Sequence, residues 1–443
     1  MFFKPRIVAV VVLTGSLVSG LVGCGSTQDF RPPAVPSTPV TVESSVEVTP
    51  IEPAASVAPV AVEPTLAPAS LTMSPVALIG ADQRVAVIRD GQVSDAMTAL
   101  VTPDGRSAVE FTAAGADTEL TWHDLTTGAS TAPTVIAGAL TATALDPSAR
   151  IVALTATPAP GKTEIVIAGD DGERFRRTYD VELLPEGFAN AWEPLAKLPI
   201  GLFVIEYLDR SVDPTAPRTY RVRVIDLATG ELRLPLNLRS KGETVDEQMT
   251  GFARTHVTSE RDGLLFTLYR GVNPDDSTYA FVHTLGFVNG VWCLDVPREL
   301  ELQLVPGSMA LAPDGSKLYV GSANGTLAEY VIDDILNPAR VPEAGRVSSL
   351  GPVGDAAPAM TATAGHLISS LNHQITWFDR TTLAGTSAVN WAGTVDAIAA
   401  TPVDTVLVGG SDSITELSAA GKILSRVDLP PGLGPIAGLV LLS

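Results

Sequence analysis

Ala312-Pro313-Asp314-Gly315-Ser316-Lys317-Leu318-Tyr319-Val320-Gly321 is the stretch that decides the fold. Pro presets φ and Gly accepts φ > 0, so Pro-Asp-Gly reverses the chain tightly between two strands. The unit recurs as Thr102-Pro103-Asp104-Gly105 before 107–111 and as Asp146-Pro147-Ser148 before 151–154. Weaker copies are Arg261-Asp262-Gly263, Ala364-Gly365 and Pro402-Val403-Asp404. A third strand with its own turn follows in many copies: Trp122-His123-Asp124-Leu125-Thr126-Thr127-Gly128, Val224-Ile225-Asp226-Leu227-Ala228-Thr229-Gly230 and Trp377-Phe378-Asp379-Arg380-Thr381-Thr382. Four antiparallel strands recurring every roughly 40 to 60 residues are thereby expected.

That arithmetic predicts an all-β chain folded as a β-propeller of four-stranded blades. Each blade packs only on its neighbours, so about 370 residues form one body. First hairpins fall near Asp104, Asp146, Gly201, Asp262, Asp314, Gly365 and Asp404, and 435–443 reads as one more first strand with nothing after it. Its partners stand at the other end, where 78–87 aligns with 407–416 as second strand, turn and third strand. Eight blades are expected, with seven as the alternative, and the ring is closed by the N- and C-terminal strands, which removes two sheet edges.

The Pro-Asp-Gly hairpins and the 312–321 stretch resemble the WD40-like and surface-layer propeller repeats of secreted bacterial proteins. Segment 263–297, with Leu265-Phe266-Thr267-Leu268-Tyr269, Phe281-Val282-His283-Thr284-Leu285 and Cys293-Leu294-Asp295-Val296-Pro297, is similar to uncharacterised actinobacterial secreted propeller proteins. Neither resemblance implies a reaction, since propellers carry unrelated activities on one frame.

Ahead of the repeats, Lys4 and Arg6 precede an apolar run over 7–22 that Gly and Ser interrupt, a pattern suited to an export signal. Leu21-Val22-Gly23-Cys24 resembles the lipobox of bacterial lipoproteins. The resemblance implies a signal peptide over 1–23 and a diacylglycerol on the Cys24 thiol, as in palmitate-bearing lipoproteins. It also implies a body lipid-anchored to a bacterial membrane in the cell envelope and facing outward. From 25 to 71 the chain is dense in Pro, Ser, Thr, Val and Ala, with Arg31 its only basic residue and no aromatic after Phe30. Such a segment buries too little to offset its ordering entropy and reads as an extended linker. The expected division is 1–23 signal peptide, 24–72 lipidated Cys and linker, 73–443 propeller.

Of the 443 residues, 29 are Lys or Arg and 49 are Asp or Glu, a formal charge of −20 that opposes a broad nucleic-acid face. Losing 1–23 removes two of the cations and no acid, and the remaining charge repels an anionic lipid surface, which suits a body held away on a tether. Two cysteines cannot staple a chain of this size.

His123, His256, His283, His366 and His373 show no local zinc spacing. Cys293, beside Trp292, is expected as a small buried hydrophobe on an inner strand. The acid pairs Asp170-Asp171, Asp275-Asp276 and Asp333-Asp334 lack calcium-loop spacing and read as solvated turns. Nucleophile elbow, phosphate loop and dinucleotide fingerprint are all missing from the sequence.

No catalytic residue is therefore assigned. A divalent cation is the one cofactor left open, and the partners expected are the membrane, through the lipid, and a protein or glycan, with no nucleic acid. The expected function is a binding or scaffold module. The alternatives are a metal-dependent lactonase-like hydrolase in the propeller funnel and a structural envelope-assembly lipoprotein. The longest loops, 206–218 with Tyr207 and Arg210 and 271–279 with Asp275 and Asp276, both follow a second strand, and a shared binding rim is expected there.

Overall fold

The computed structural model describes residues 75–80, 84–102, 105–146, 151–159, 161–180, 191–193, 201–207, 218–236, 249–259, 261–272, 278–286, 290–337, 343–429 and 435–442. Among them, the 3-10 turn Arg298–Leu300 and the one-turn helix Ile332–Ile335 interrupt an otherwise all-β body. Four sheets, over 141–180, 307–349, 359–390 and 397–428, are four-stranded antiparallel meanders. Two further sheets have eight strands. Each of these is held together at its middle by a short ladder: Arg84 and Val85 opposite Thr98 and Met97 in one, Arg218 to Tyr220 opposite Gly251 to Met249 in the other.

The meanders stand face to face, with the first strand of one beside the first strand of the next. Met97–Val101 lies beside Thr141–Asp146, Gly307–Leu311 beside Ala359–Ala362, and Ala359–Ala362 beside Ala397–Ala400. This is the arrangement of a β-propeller body. Strand burial follows from it. In Asp117–Asp124, Thr118, Leu120 and Trp122 alternate inward while their neighbours are half-buried. A second strand such as Lys317–Ser322, covered on both faces, is buried along almost its whole length.

The apolar side chains meet between meanders. Leu120, Trp122, Val152 and Leu154 fill the gap between the 97–136 and 141–180 strands. Phe266, Trp292, Leu318 and Tyr330 fill that between 249–295 and 307–349. Tyr319, Leu327, Leu367 and Phe378 fill the next, and Ile368, Trp377, Val406 and Val408 the one after.

The last strand, Ile436–Leu441, pairs antiparallel with the first, Val76–Gly80, from Val76 opposite Leu441 to Ile79 opposite Gly438. The Leu442 amide extends the ladder by donating to the Pro75 carbonyl at 2.9 Å. Ile436 of this strand joins Val76, Leu78, Ile88, Leu407 and Ile414 in one buried cluster. Gly105, in the first Pro-Asp-Gly turn, sits against it too. Its φ is +69°, and a Cβ there would come within 2.3 Å of the Leu441 carbonyl oxygen.

Three expectations need correction. Tyr207 ends the strand Gly201–Tyr207 opposite Tyr220, so the connection to Arg218–Asp226 is 208–217 and contains Arg210 but not Tyr207. Likewise Leu264–Val272 and Thr278–Gly286 pair as far as Val272 opposite Thr278, shortening that connection to 273–277. The aromatic residues at these ends lengthen the ladders: the Tyr279 ring occupies the space a Cβ on Gly271 would take, 2.4 Å away. Cys293 lies on Gly290–Asp295, the outermost strand of its meander, and is half-buried. The burial of Trp292 and Leu294 beside it comes from the next sheet rather than from an inner position.

Gly105→Ala is expected to destabilise by more than about 2 kcal/mol, combining left-handed backbone strain with overpacking. Gly91→Ala, at φ +75° with nothing within 4 Å, carries the strain alone. Equal costs in denaturant titration would mean that the first turn does not pack on the last strand.

Candidate functional site

Chain order in a meander puts the first-to-second and third-to-fourth turns at one end of the sheet, and the second-to-third turns and sheet-to-sheet connections at the other. The first end is cross-linked between neighbouring sheets. Arg261 reaches Asp333 at 3.0 Å and the Asp314 carbonyl at 3.4 Å. Arg380 reaches Asp314 at 3.1 Å and donates to the Ala364 carbonyl at 2.9 Å. His366 meets Asp404 at 2.9 Å. Arg89 donates to the carbonyls of Leu125 and Thr126 at 2.5 and 2.8 Å.

The turns at this end are also fixed from within. Asp379 accepts the Thr381 and Thr382 amides at 2.9 and 2.8 Å and both hydroxyls, which hold its carboxyl down at about 2. Asp124 accepts the Thr126 and Thr127 amides and the Thr126 hydroxyl, with its carboxyl also well below the usual range. Beneath this network Glu329, only 4% exposed, is held by Lys317 at 2.9 Å and Arg346 at 3.0 Å. A buried carboxylate without such partners would be strongly unfavourable.

A groove of about 240 Å³ runs between the 359–390 and 397–428 sheets and reaches the other end. Asn390, Trp391, Gly393 and Thr394 line it from the sheet-to-sheet connection, Ser411 and Asp412 from a second-to-third turn, and Arg426 from an outer strand. Trp391 is half-buried against the Trp377 and Val389 cluster, and its amide donates to the His373 carbonyl at 2.7 Å. Arg426 lies between carboxylates, 3.3 Å from Asp428 and 3.9 Å from Asp412. An indole, an amide, hydroxyls and both charges in a space below the ~300 Å³ of whole-ligand pockets suit one side chain or one sugar ring.

Two larger clefts have a common cause. Gln92–Val93 and Leu232–Arg233 are outer strands of only two residues, so the face of the following sheet is left partly uncovered. One cleft, of about 470 Å³, has Arg89 and Gln92 of the preceding meander and Met97, His123, Asp124 and Gly128 among its lining. The second, of about 510 Å³, lies among Phe203, Val224, Arg233, Leu236, Gly286 and Gly290.

The sequence-predicted residues are distributed over these features unevenly. Cys24, Arg210, Asp275 and Asp276 lie outside the described residues, as does the Tyr207 side chain. Asp171 pairs with Arg174 at 2.9 Å in a solvated turn, whereas Asp333 sits in the short helix and ties two sheets together. His123 lines the first cleft, and His373 occupies a two-residue turn with Asn372, both at positive φ. His256 is on the strand Met249–Ser259, and His283 is buried beside the stacked Tyr220 and Tyr269 rings, at 6.3 and 6.0 Å. Among the described residues no three His, Cys, Asp or Glu side chains are grouped to hold a metal. The groove at Trp391 was absent from the sequence reading; its signal was a lone exposed-side tryptophan in the Asn390-Trp391-Ala392-Gly393 connection.

No protein-family model and no curated protein sequence matches the chain. Solved structures to which it is similar include apo AztD from Citrobacter koseri, at 11% identity and TM-score 0.48, covering 84% of this chain and 98% of that one. Sqt1 from Saccharomyces cerevisiae is similar at 12% and 0.45 over 74% and 83%, and BamB from Moraxella catarrhalis at 14% and 0.41 over 77% and 90%. These likenesses concern the backbone arrangement and bear on no site.

Burial pushes the His283 imidazole down to about 3, so it is neutral in the folded chain while the unfolded chain takes up a proton below about 6.5. Its contribution is complete above that pH and is lost as pH falls, by about 1.4 kcal/mol per unit. His283→Phe should remove that slope between pH 6 and 4 in denaturant titrations; an unchanged slope would place the sensitivity elsewhere.

Proposed function

We propose that this chain is a lipid-anchored, outward-facing binding or scaffold module. The observation that carries the reading is the difference between the two ends of the body. One is cross-linked by ion pairs from sheet to sheet. At the other, Trp391 in the connection between the 359–390 and 397–428 sheets lines a groove. A scaffold rigid at one end and variable at the other is the usual way a fold presents a recognition surface. The partner is a protein or glycan that inserts one side chain or sugar ring at Trp391.

The body is read as an eight-bladed ring. Dividing each eight-stranded sheet at its short ladder gives eight four-stranded meanders, the one at the junction completed by Ile436–Leu441. Eight apolar clusters, each between two neighbouring meanders, favour the same count, with the Val76, Leu407 and Ile436 cluster at the closing gap. Closure by the two chain ends would leave no unpaired inner edge. The anchor rests on the Leu21-Val22-Gly23-Cys24 motif, with two acyl chains giving lasting attachment where one is marginal.

Cys24→Ser should release the protein from membranes or leave it unprocessed. The Cys24 peptide of the native protein should carry a diacylglycerol mass. One sulfur cannot hold that lipid and also join Cys293, the other cysteine of the sequence, so recovery of a Cys24–Cys293 peptide without reductant would overturn the anchor. Trp391→Ala with Arg426→Ala should weaken binding at least about tenfold, as for a central hot spot, on a glycan array and in cross-linking to envelope proteins. Undiminished binding would remove the groove from the function.

A further inference from the structure

Beside the first cleft, which His123 lines, three side chains stand in a row that neither the binding reading nor the fold requires. Glu110 is paired with Thr121, and Ala108 with His123, so Glu110 and His123 are diagonal neighbours on one face of the sheet. Ser130, in the connection after that strand, is bridged to His123 and shares the face. The His123 Nε2 lies 3.1 Å from the Glu110 carboxylate, and its Nδ1 lies 2.8 Å from the Ser130 Oγ. An ionised carboxylate only accepts hydrogen bonds. In the neutral ring the proton therefore sits on Nε2 and is donated to Glu110, which leaves the Nδ1 lone pair to accept from the Ser130 hydroxyl. A serine whose hydroxyl faces an unprotonated ring nitrogen, with the far nitrogen held by a carboxylate, has the arrangement that activates an alcohol as nucleophile.

The surroundings fit that chemistry. Ser130 is exposed, while His123 and Glu110 are 18% and 31% exposed, so the nucleophile is reachable and its base is partly sheltered. Arg89 supplies a permanent cation across the cleft. Its guanidinium is held on the Leu125 and Thr126 carbonyls, and its Nη1 is 3.0 Å from where a Cβ on Gly128 would stand, two residues before Ser130. A cation fixed on the cleft that His123 also lines can stabilise developing negative charge on a carbonyl oxygen. The cleft, about 470 Å³, is of small-ligand size.

We propose that Ser130 and His123, positioned by Glu110, form a hydrolytic site for small carboxylic esters. The Ser130 Oγ adds to the ester carbonyl carbon as its proton passes to His123 Nδ1. The bond to the leaving alkoxide breaks, and the alcohol departs with that proton. Water then adds to the acyl-Ser130, giving a proton to the same nitrogen. The acid leaves, and the proton returns to Ser130. The imidazolium present between these steps is paired with Glu110. Esters rather than amides are the substrate class, because a half-exposed site gives modest charge stabilisation and needs a good leaving group.

The test uses the purified full chain with p-nitrophenyl acetate and a fluorophosphonate probe. Peptide mass spectrometry should place the phosphonate on Ser130, and Ser130→Ala should abolish labelling and lower kcat/KM at least about 100-fold. Because the pair acts as a unit, His123→Ala should cost about as much, and the double variant no more than either alone. Glu110→Gln should lower kcat about tenfold and shift the acidic limb of the pH profile, with Glu110→Asp restoring part of both; a merely structural glutamate would move neither limb. Ser130 is exposed, so Ser130→Ala should melt as the parent does. Turnover in Ser130→Ala equal to the parent, labelling elsewhere, or no turnover and no labelling in the parent overturns the proposal.

Discussion

A four-stranded meander has two faces and no means of covering either by itself, and the rest of this structure follows from that constraint. Each sheet offers alternating side chains to a neighbour on each side, so the core is divided into separate apolar layers such as those at Trp122, Phe266 and Trp377. Stability is then a matter of neighbouring sheets, and the end sheets are the weak points unless something covers them. The strand Ile436–Leu441 lies against Val76–Gly80.

An acidic chain with few cations spends those cations sparingly. Arg261 and Arg380 converge on Asp314, the aspartate of the Pro-Asp-Gly turn that opens the 312–321 stretch. The turn residue chosen for local backbone geometry is thus also the acceptor that registers one sheet against the next. Exposed ion pairs contribute little each. Their value here lies in alignment, since bridges on both sides of a sheet fix its tilt as well as its distance.

Much of the fold was legible because its signals are local: the Pro-Asp-Gly turns and the Asp-Thr-Thr and Asp-Ala-Thr turns announce strand ends whatever the rest of the chain does. The matching of 78–87 with 407–416 pointed to the partnership of the chain ends for the same reason. Other features depend on contacts between distant segments. The length of an outer strand is set by what the adjoining sheet can cover, so the two-residue strands Gln92–Val93 and Leu232–Arg233 and their clefts had no signature. The loop boundaries at Tyr207 and Tyr279 were drawn too wide because ladder pairing with Tyr220 and Gly271 extended them. His123 could be placed on a strand, but its company with Glu110 and Ser130 requires the register of three segments at once.

The position of the first strand has a mechanical consequence. Val76–Gly80 is hydrogen-bonded on both sides, to Arg84–Arg89 and to Ile436–Leu441. A force along this strand loads both ladders in shear, so several hydrogen bonds must yield together instead of one at a time as in peeling. Tension along this strand is therefore resisted by two ladders at once.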